Sequence, residues 1–141
     1  MTVLFDGTAE GEVLVLAAPL SFWGGVSWET GAIINARHPQ VGEIVTGKIL
    51  VVPEPVGSSS SSAVLLELIR AGRAPAAIVL GRPDAILVVA CLVAREMGWP
   101  APPVLMVPGC ADTPPGRARV AEGRLEPLPG SQAGPRSGTL K

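Results

Sequence analysis

Histidine and cysteine are scarce in this sequence, and their scarcity excludes whole classes of site. The 141 residues contain one histidine, His38, and two cysteines, Cys91 and Cys110, with no Cys-x-x-Cys motif. A structural zinc site needs four clustered ligands and an iron–sulfur cluster needs three or four thiolates, so we expect neither in this chain. Cys91 lies in an apolar run and is predicted to be a small buried hydrophobe. Arg37 and Pro39 flank His38 and indicate a turn, not a catalytic pairing.

An excess of one charge and long apolar runs are also missing. Eleven Lys and Arg residues against 12 Asp and Glu give a formal net charge of -1, without a basic run for phosphates, which argues against nucleic-acid binding. The longest apolar run, 85–94, is far shorter than the roughly 20 residues that cross a bilayer. No positively charged segment precedes an apolar stretch at the N-terminus, so the sequence predicts a cytoplasmic location. With 48% hydrophobic residues, it predicts one compact domain with a core.

Strand and helix patterns alternate through the middle of the chain. Four apolar runs predict β-strands, at residues 12–17, 43–52, 76–80 and 103–107. Helical spacing predicts one helix from Ser62, its N-cap, to Ala71, and a second from Asp84 to Met97. The second helix is apolar all round, which predicts burial on every side. This order is typical of an α/β domain with parallel strands and right-handed crossovers.

Three further segments lie outside this alternation. Residues 20–42 contain a glycine pair and two tryptophans and predict a long, structured loop with short strand pieces. Residues 117–128 predict an edge hairpin around Gly123. Residues 129–141 are rich in Pro, Gly and Ser and predict a disordered tail.

Five consecutive serines follow Gly57 and lead directly into the first predicted helix. Such a run is also typical of a flexible linker. Its position between a strand that ends before Pro53 and a helix that begins at Ser62 favours a strand-to-helix turn inside the domain. Unpaired N–H groups and the helix dipole at this position suit a carboxylate or a phosphate. Spacing alone leaves the linker and the anion-binding turn as alternatives.

Phe22, Trp23, Gly24 and Gly25 form a second distinctive segment. A glycine pair beside aromatic residues allows close approach of a ligand or partner, and the aromatics are suitable interface anchors. A tight turn with its aromatics in the core explains the same residues, and from the residues alone it is slightly favoured.

Several runs resemble the small, swivelling domain of the aconitase X family. The longest is Gly-Glu-x-Leu-Val-Leu-x-x-Pro-Leu-Ser-Phe-Trp-Gly-Gly-Val-x-x-Glu-Thr-Gly-x-Ile-Ile, at residues 11–34. The others are His38-Pro39 and the runs at residues 47–53, 57–62 and 74–78. The resemblance extends without gaps from residue 7 to about residue 107 and is weak in the C-terminal third. It implies an aconitase-like swivelling β/β/α domain over residues 1–128, with a mixed sheet and at least two helices.

The resemblance also implies a function that depends on a second chain. In this family the small domain, often a separate subunit, pairs with a large subunit that carries an iron–sulfur cluster, and together they act as a hydro-lyase. Known reactions are the dehydration of mevalonate 5-phosphate and of cis-3-hydroxy-L-proline. This chain would therefore bind no cofactor or metal itself, form a heterodimer with the large subunit and act on a small anionic substrate.

Site residues follow from the same resemblance. The family's serine at the start of the helix falls on Ser62, which would be the catalytic base. The substrate's anionic group would be held by Gly57, Ser58, Ser59, Ser60 and Ser61. The cleft or the subunit interface would be lined by Phe22, Trp23, Gly24, Gly25, Asn35 and His38. Two departures stand out: Asn35 replaces the usual Asp, and no arginine lies between Gly57 and Ser62, where ordinary aconitase has one in this loop.

Two functions of other classes remain as alternatives. The chain could be a stand-alone anion-binding or carrier module, or a structural subunit whose serine run is inert. A carrier usually presents a modifiable His or Lys at a mobile tip, and nothing in the sequence marks His38 or Lys48 as such a residue.

Overall fold

The computed structural model describes residues 1–129, so the predicted tail lies outside the described residues except for Pro129. Within them the strands are β1 (Thr2–Phe5), β2 (Ala9–Val15), β3 (Ile49–Val52), β4 (Ala77–Leu80), β5 (Val104–Met106), β6 (Arg117–Ala121) and β7 (Arg124–Pro127). The helical segments are the short α1 (Phe22–Gly25), α2 (Ser60–Arg70), α3 (Ala85–Glu96) and a 3-10 turn at Cys110–Asp112. The strands form one mixed sheet in the order β1-β5-β4-β3-β2-β6-β7. This confirms the α/β class.

Four parallel strands form the centre of the sheet; parallel pairing was predicted for three of them, β3, β4 and β5, and β2 joins them. β2 pairs with β3, β3 with β4 and β4 with β5, all in parallel. Every residue of β3 and β4 is buried, which is the pattern of strands covered on both faces. Because β2, β3 and β4 run parallel, their carboxyl ends lie on the same side of the sheet. We call this side the carboxyl edge; ligands commonly bind there in such sheets.

Two clusters of apolar side chains cover the two faces of the sheet. Leu50 and Val52 of β3 face helices α2 and α3, which contribute buried residues such as Leu65 of α2 and Leu87 of α3. On the other face, Ile49 and its neighbours pack with residues of β6 and the 3-10 turn. Alternation of side chains along a strand produces this division. Truncating a fully buried leucine to alanine typically costs about 2–5 kcal/mol, so these clusters fix the frame of the site.

The two long helices differ from prediction in the start of α2 and in the burial of α3. α2 begins at Ser60 with Ser59 as its N-cap, so the prediction that Ser62 caps it is wrong. α3 begins after Asp84, close to the predicted start, and the Asp84 side chain accepts the N–H of Ile86 at 2.9 Å. Its predicted burial on every side is wrong. Only one face meets the sheet and α2. Three large apolar residues of the helix, Val89, Leu92 and Val93, remain exposed, as does Met97 at its C-cap.

The outer strands were less predictable. β1 was not predicted, and it pairs antiparallel with β5 at one edge of the sheet. β2 begins at Ala9 because its first half pairs with β6, whereas its second half pairs with β3. The predicted hairpin around Gly123 is confirmed as β6 and β7 at the opposite edge. No helix in the described part of the chain is long and apolar enough to cross a membrane.

Residues 20–42 form the structured loop that was predicted. Besides α1, the loop contains an isolated antiparallel β-bridge between Val26 and Ile33. A second bridge joins Ala32 to Ile44, which lies just after the loop. The Gln40 side-chain amide fastens the loop to the chain at the end of β2, donating to the Val15 carbonyl at 2.8 Å and accepting the N–H of Ala17 at 2.9 Å.

Candidate functional site

Two turns meet at the carboxyl edge of the parallel strands. The serine turn, Gly57–Ser62, connects β3 to α2, and the aromatic turn, Ser21–Gly25, follows β2. Because β2 and β3 are neighbours in the sheet, these turns come together although some 40 positions separate them in sequence. The predicted strand-to-helix turn is thus confirmed, and the linker alternative is wrong.

A buried hydroxyl joins the two turns. Ser61 is 2% exposed, and its Oγ accepts the backbone N–H of Trp23 at 3.3 Å and lies 3.3 Å from the Oγ of Ser21. Ser61 was predicted to hold the substrate's anionic group. In the isolated chain its hydroxyl faces the aromatic turn. Ser21 is a contributor that the sequence reasoning missed, although it directly precedes the aromatic pair.

Gly57 allows the serine turn to pass close to this contact. Its φ of +127° lies in the region that favours glycine. A Cβ at this position would lie 2.6 Å from the Oγ of Ser61 and 2.9 Å from the Oγ of Ser21. Both the backbone conformation and the space therefore require glycine here.

Most N–H groups at the start of α2 are already paired. Ser61 N–H donates to the Ser58 carbonyl at 2.9 Å, Ser62 N–H to the Ser59 carbonyl at 3.1 Å, and Ser60 N–H to the Ser58 Oγ at 3.3 Å. The expectation that these N–H groups are unpaired is wrong for all three. In residues 1–129, the hydroxyls of Ser59 and Ser60 make no hydrogen bond, so they remain the donors available to a ligand.

The Ser62 side chain fastens α2 to α3. Its hydroxyl donates to the carbonyl oxygen of Ile86 across 2.5 Å, and the residue is half-buried. The carbonyl belongs to the first turn of α3, so the starts of both helices are held side by side. In this orientation the Ser62 proton points at a protein acceptor.

The aromatic turn divides its two aromatic residues between core and surface. Phe22 is 2% exposed and packs in the core, whereas Trp23 is 63% exposed. Gly24 is exposed and Gly25 is buried, where a Cβ would lie 2.8 Å from the Cδ1 of Leu20. Phe22 and Gly25 thus support the turn, while Trp23 and Gly24 form its outer surface.

Trp23 borders an open depression of about 340 Å³ on this surface. Its lining combines apolar residues with one acid: Trp23, Gly24, Val26, Ser27, Trp28, Glu29, Ile34 and Val64. Trp28 is 44% exposed, and the sequence reasoning gave it no role. Glu29 forms no salt bridge within residues 1–129. The second tryptophan five positions after the first was the signal that could have identified this surface.

Asn35 and His38 serve the local fold. Asn35 is exposed, and its Oδ1 accepts the N–H of Arg37 at 2.9 Å. His38 is 4% exposed; its Nδ1 accepts the N–H of Gln40 at 3.1 Å, so Nε2 carries the proton and donates to the Ala18 carbonyl at 3.0 Å. With both ring nitrogens engaged, His38 stabilises the predicted turn.

Charged and metal-binding groups are sparse at this edge. An exposed pair, Arg82 Nε and Glu54 Oε1, lies 3.4 Å apart beyond the ends of β4 and β3. Among the described residues, no three His, Cys, Asp or Glu side chains are grouped to hold a metal ion. Both cysteines are buried, and desolvation raises the pKa of Cys91 to about 12 and also raises the pKa of Cys110. An iron–sulfur cluster does not fit the residues present here.

Comparison with known proteins agrees with this architecture. A cis-3-hydroxy-L-proline dehydratase from Pseudomonas aeruginosa is 42% identical over 125 residues, which cover 87% of this chain but 22% of that protein. A phosphomevalonate dehydratase small subunit from Methanopyrus kandleri is 45% identical over 84 residues, covering 60% of this chain and 62% of that subunit. The crystal structure of Thermococcus kodakaraensis aconitase X in its holo-form matches with a TM-score of 0.80 at 32% identity, covering 90% of this chain and 95% of that one.

The sequence matches cover only part of each of these two dehydratase relatives. This chain spans about a fifth of the Pseudomonas aeruginosa protein and less than two thirds of the Methanopyrus kandleri subunit. A family model described as the aconitase X swivel domain matches residues 1–120. The chain therefore belongs to the aconitase X swivel-domain family.

Proposed function

We propose that this chain is the small subunit of an aconitase X-type hydro-lyase and supplies its serine turn to an active site shared with a large subunit. The observation that carries the proposal is the meeting of the serine turn and the exposed Trp23 at one edge of the sheet. One turn offers hydroxyl donors to a ligand, and the other offers an apolar anchor to a partner. The names of the relatives, which are dehydratases and dehydratase small subunits, support it.

Dehydration removes a proton from carbon and expels hydroxide from the neighbouring carbon, so it needs a base on one side and an acid on the other. We assign the base to Ser62, the position that carries the family resemblance. In the isolated chain its hydroxyl donates to Ile86. A serine oxygen can accept a proton only after its own has passed to a base, which we assign to the large subunit, and a carbonyl oxygen beside it would repel the resulting alkoxide. The role therefore requires Ser62 to rotate away from Ile86 when the site assembles.

Gly57, Ser58, Ser59 and Ser60 would hold the anionic group of the substrate. Ser58 and Ser59 are exposed, and the free hydroxyls of Ser59 and Ser60 can turn toward a carboxylate or phosphate. The positive end of the α2 dipole lies at the same place and adds roughly 0.3–1 kcal/mol for an exposed anion. These groups orient the substrate, whereas Ser62 acts on its proton.

The acid and the iron–sulfur cluster are assigned to the large subunit, because two separately buried thiols cannot ligate a cluster. The depression bordered by Trp23 and Trp28 is proposed as the surface that this subunit covers. Tryptophans are enriched among the residues that dominate binding energy at interfaces, and Glu29 offers a carboxylate to a cation of the partner.

The substrate is proposed to be cis-3-hydroxy-L-proline, with mevalonate 5-phosphate as the alternative. The hydroxyproline enzyme matches 87% of this chain, against 60% for the phosphomevalonate subunit. The serine turn also carries no charged side chain, which suits a carboxylate better than a doubly charged phosphate.

Purification of the chain with its natural large subunit tests the proposal. The expected result is a brown complex that dehydrates cis-3-hydroxy-L-proline, while the purified, metal-free chain alone is inactive. Mevalonate 5-phosphate is assayed in parallel, and preference for it would reverse the substrate assignment. Turnover by the isolated chain would contradict the shared site, and a stable colourless monomer that binds no large subunit would favour the carrier alternative.

A further inference from the structure

The hydroxyl of Ser61 has no part in the chemistry proposed above, yet it is one of only two buried polar side chains in residues 1–129. It touches both turns of the site, since it lies in the first turn of α2 and accepts the N–H of Trp23. Burying a hydroxyl without a partner costs roughly 1–3 kcal/mol, so this side chain strongly favours the arrangement in which the turns stay together.

We infer that Ser61 is a positioning residue that transmits the position of the aromatic turn to the serine turn. The catalytic consequence of this inference rests on the proposed function. The coupling of the two turns through Ser61 does not depend on it. Ser61 stands directly before Ser62, and its hydroxyl holds the backbone of Trp23, whose side chain is exposed for contact with a partner. A displacement of the aromatic turn therefore changes the geometry at the residue beside the proposed base.

The packing around Ser61 leaves little room for the two turns to move independently. The backbone of Gly57 approaches the Ser61 and Ser21 hydroxyls so closely that a Cβ would collide with both. Ser21 Oγ lies 3.3 Å from Ser61 Oγ, so one serine of each turn takes part in the contact. A tightly packed contact of this kind passes on a shift at one turn, because close-packed interiors have few voids that could absorb it.

A double-mutant cycle on the isolated chain tests the link without a partner. Gly24→Ala perturbs the aromatic turn, because Gly24 has a φ of +77° that alanine adopts only with strain. No atom lies near the new Cβ, so the variant strains the backbone without a steric clash. Amide hydrogen exchange at Ser62 reports on the serine turn. Gly24→Ala should accelerate that exchange by at least about threefold in the wild-type background and leave it unchanged in the Ser61→Ala background. Equal acceleration in both backgrounds would overturn the inference.

A matched control removes a comparable bond at a distant place. Thr46 Oγ1 donates to the Arg73 carbonyl at 2.8 Å, and Thr46→Val deletes that hydroxyl with little change of shape. This variant should leave the Gly24→Ala effect on Ser62 intact. If Thr46→Val abolishes the effect as Ser61→Ala does, the loss reflects general loosening and the assignment to Ser61 fails.

The assembled enzyme supplies the functional readout. Ser61→Ala should lower kcat by about tenfold, the effect of losing one buried hydrogen bond, while KM and the affinity for the large subunit change less than about twofold. Unchanged kcat with a lowered Tm would reduce Ser61 to a structural role. If the wild-type pair shows no dehydratase activity but the cycle shows coupling, the proposed function fails and the link through Ser61 stands.

Discussion

The hydroxyl of Ser62 donates a hydrogen bond to the carbonyl oxygen of Ile86, and so the proposed catalytic serine is also a tether between the first turns of α2 and α3. The two roles predict different results for Ser62→Ala. Loss of the tether alone should lower the free energy of unfolding by about 1 kcal/mol and leave turnover nearly intact. Loss of the base should lower kcat by on the order of a hundredfold or more in a complex that still assembles. We expect the second result, measured by steady-state kinetics and urea denaturation.

Two further variants sharpen this test. Ser62→Asn retains a polar side chain but offers no alkoxide, so it should not restore kcat. Ser60→Ala lies in the anion-holding part of the turn and should raise KM more than it lowers kcat. If Ser62→Ala and Ser60→Ala both reduce activity equally and only slightly, the serine turn only binds the anion and the base belongs to the large subunit.

Trp23 is expected to be an anchor for the large subunit. Its side chain is 63% exposed beside the depression that Trp28 also borders, so Trp23→Ala should change the stability of the isolated chain little. The Kd of the Trp23→Ala variant for the large subunit should rise by roughly thirtyfold or more, which is the effect of removing a typical interface hot spot. Met97→Ala is the control, because it removes an exposed apolar side chain at a different place, the C-cap of α3. Unchanged affinity for the Trp23 variant, measured by calorimetry, would contradict the interface.

The sequence predicted the central strands because their residues are apolar on both faces, and this pattern does not depend on distant contacts. The start of α2 could not be predicted so well. Any of five identical serines can cap a helix, and the choice of Ser59 accompanies the burial of Ser61 against Trp23, a contact across 38 positions. Phe22 turns inward and Trp23 outward, a division that likewise depends on tertiary packing. Neighbouring residues in the sequence carry no signal for such a choice.

Gly57→Ala should weaken the serine turn through two separable effects. The variant forces alanine into a φ of +127° and places its Cβ against the hydroxyls of Ser61 and Ser21, so we expect a loss of roughly 2–3 kcal/mol in the free energy of unfolding. Gly72→Ala, at the end of α2, is the matched control, because it has a φ of +74° but open space around its Cβ. It should cost only about 1 kcal/mol. Equal losses in urea denaturation would contradict the close approach at Gly57.

Cys91 should make the stability of the chain fall at alkaline pH. Desolvation raises the pKa of its thiol to about 12 in the folded chain, against about 8.5 for an exposed cysteine in the unfolded chain. The unfolded state therefore loses its proton first, and the stabilising effect of a neutral buried thiol is complete below about pH 8.5 and is lost as the pH rises toward 12.

The expected slope is about 1.4 kcal/mol per pH unit above pH 9, superimposed on the contributions of all other groups. Cys91→Ala removes the pH-dependent contribution of the Cys91 thiol, because alanine does not titrate. The smaller alanine side chain also lowers the free energy of unfolding at every pH. The free energy of unfolding of both proteins is measured from pH 7 to pH 10.5, and the comparison concerns slopes alone. The wild-type curve should fall more steeply above pH 9, so the two curves converge. Parallel curves over this range would show that Cys91 ionises in the folded chain as readily as in the unfolded one, and its burial against the Pro102 carbonyl would then not govern its pKa.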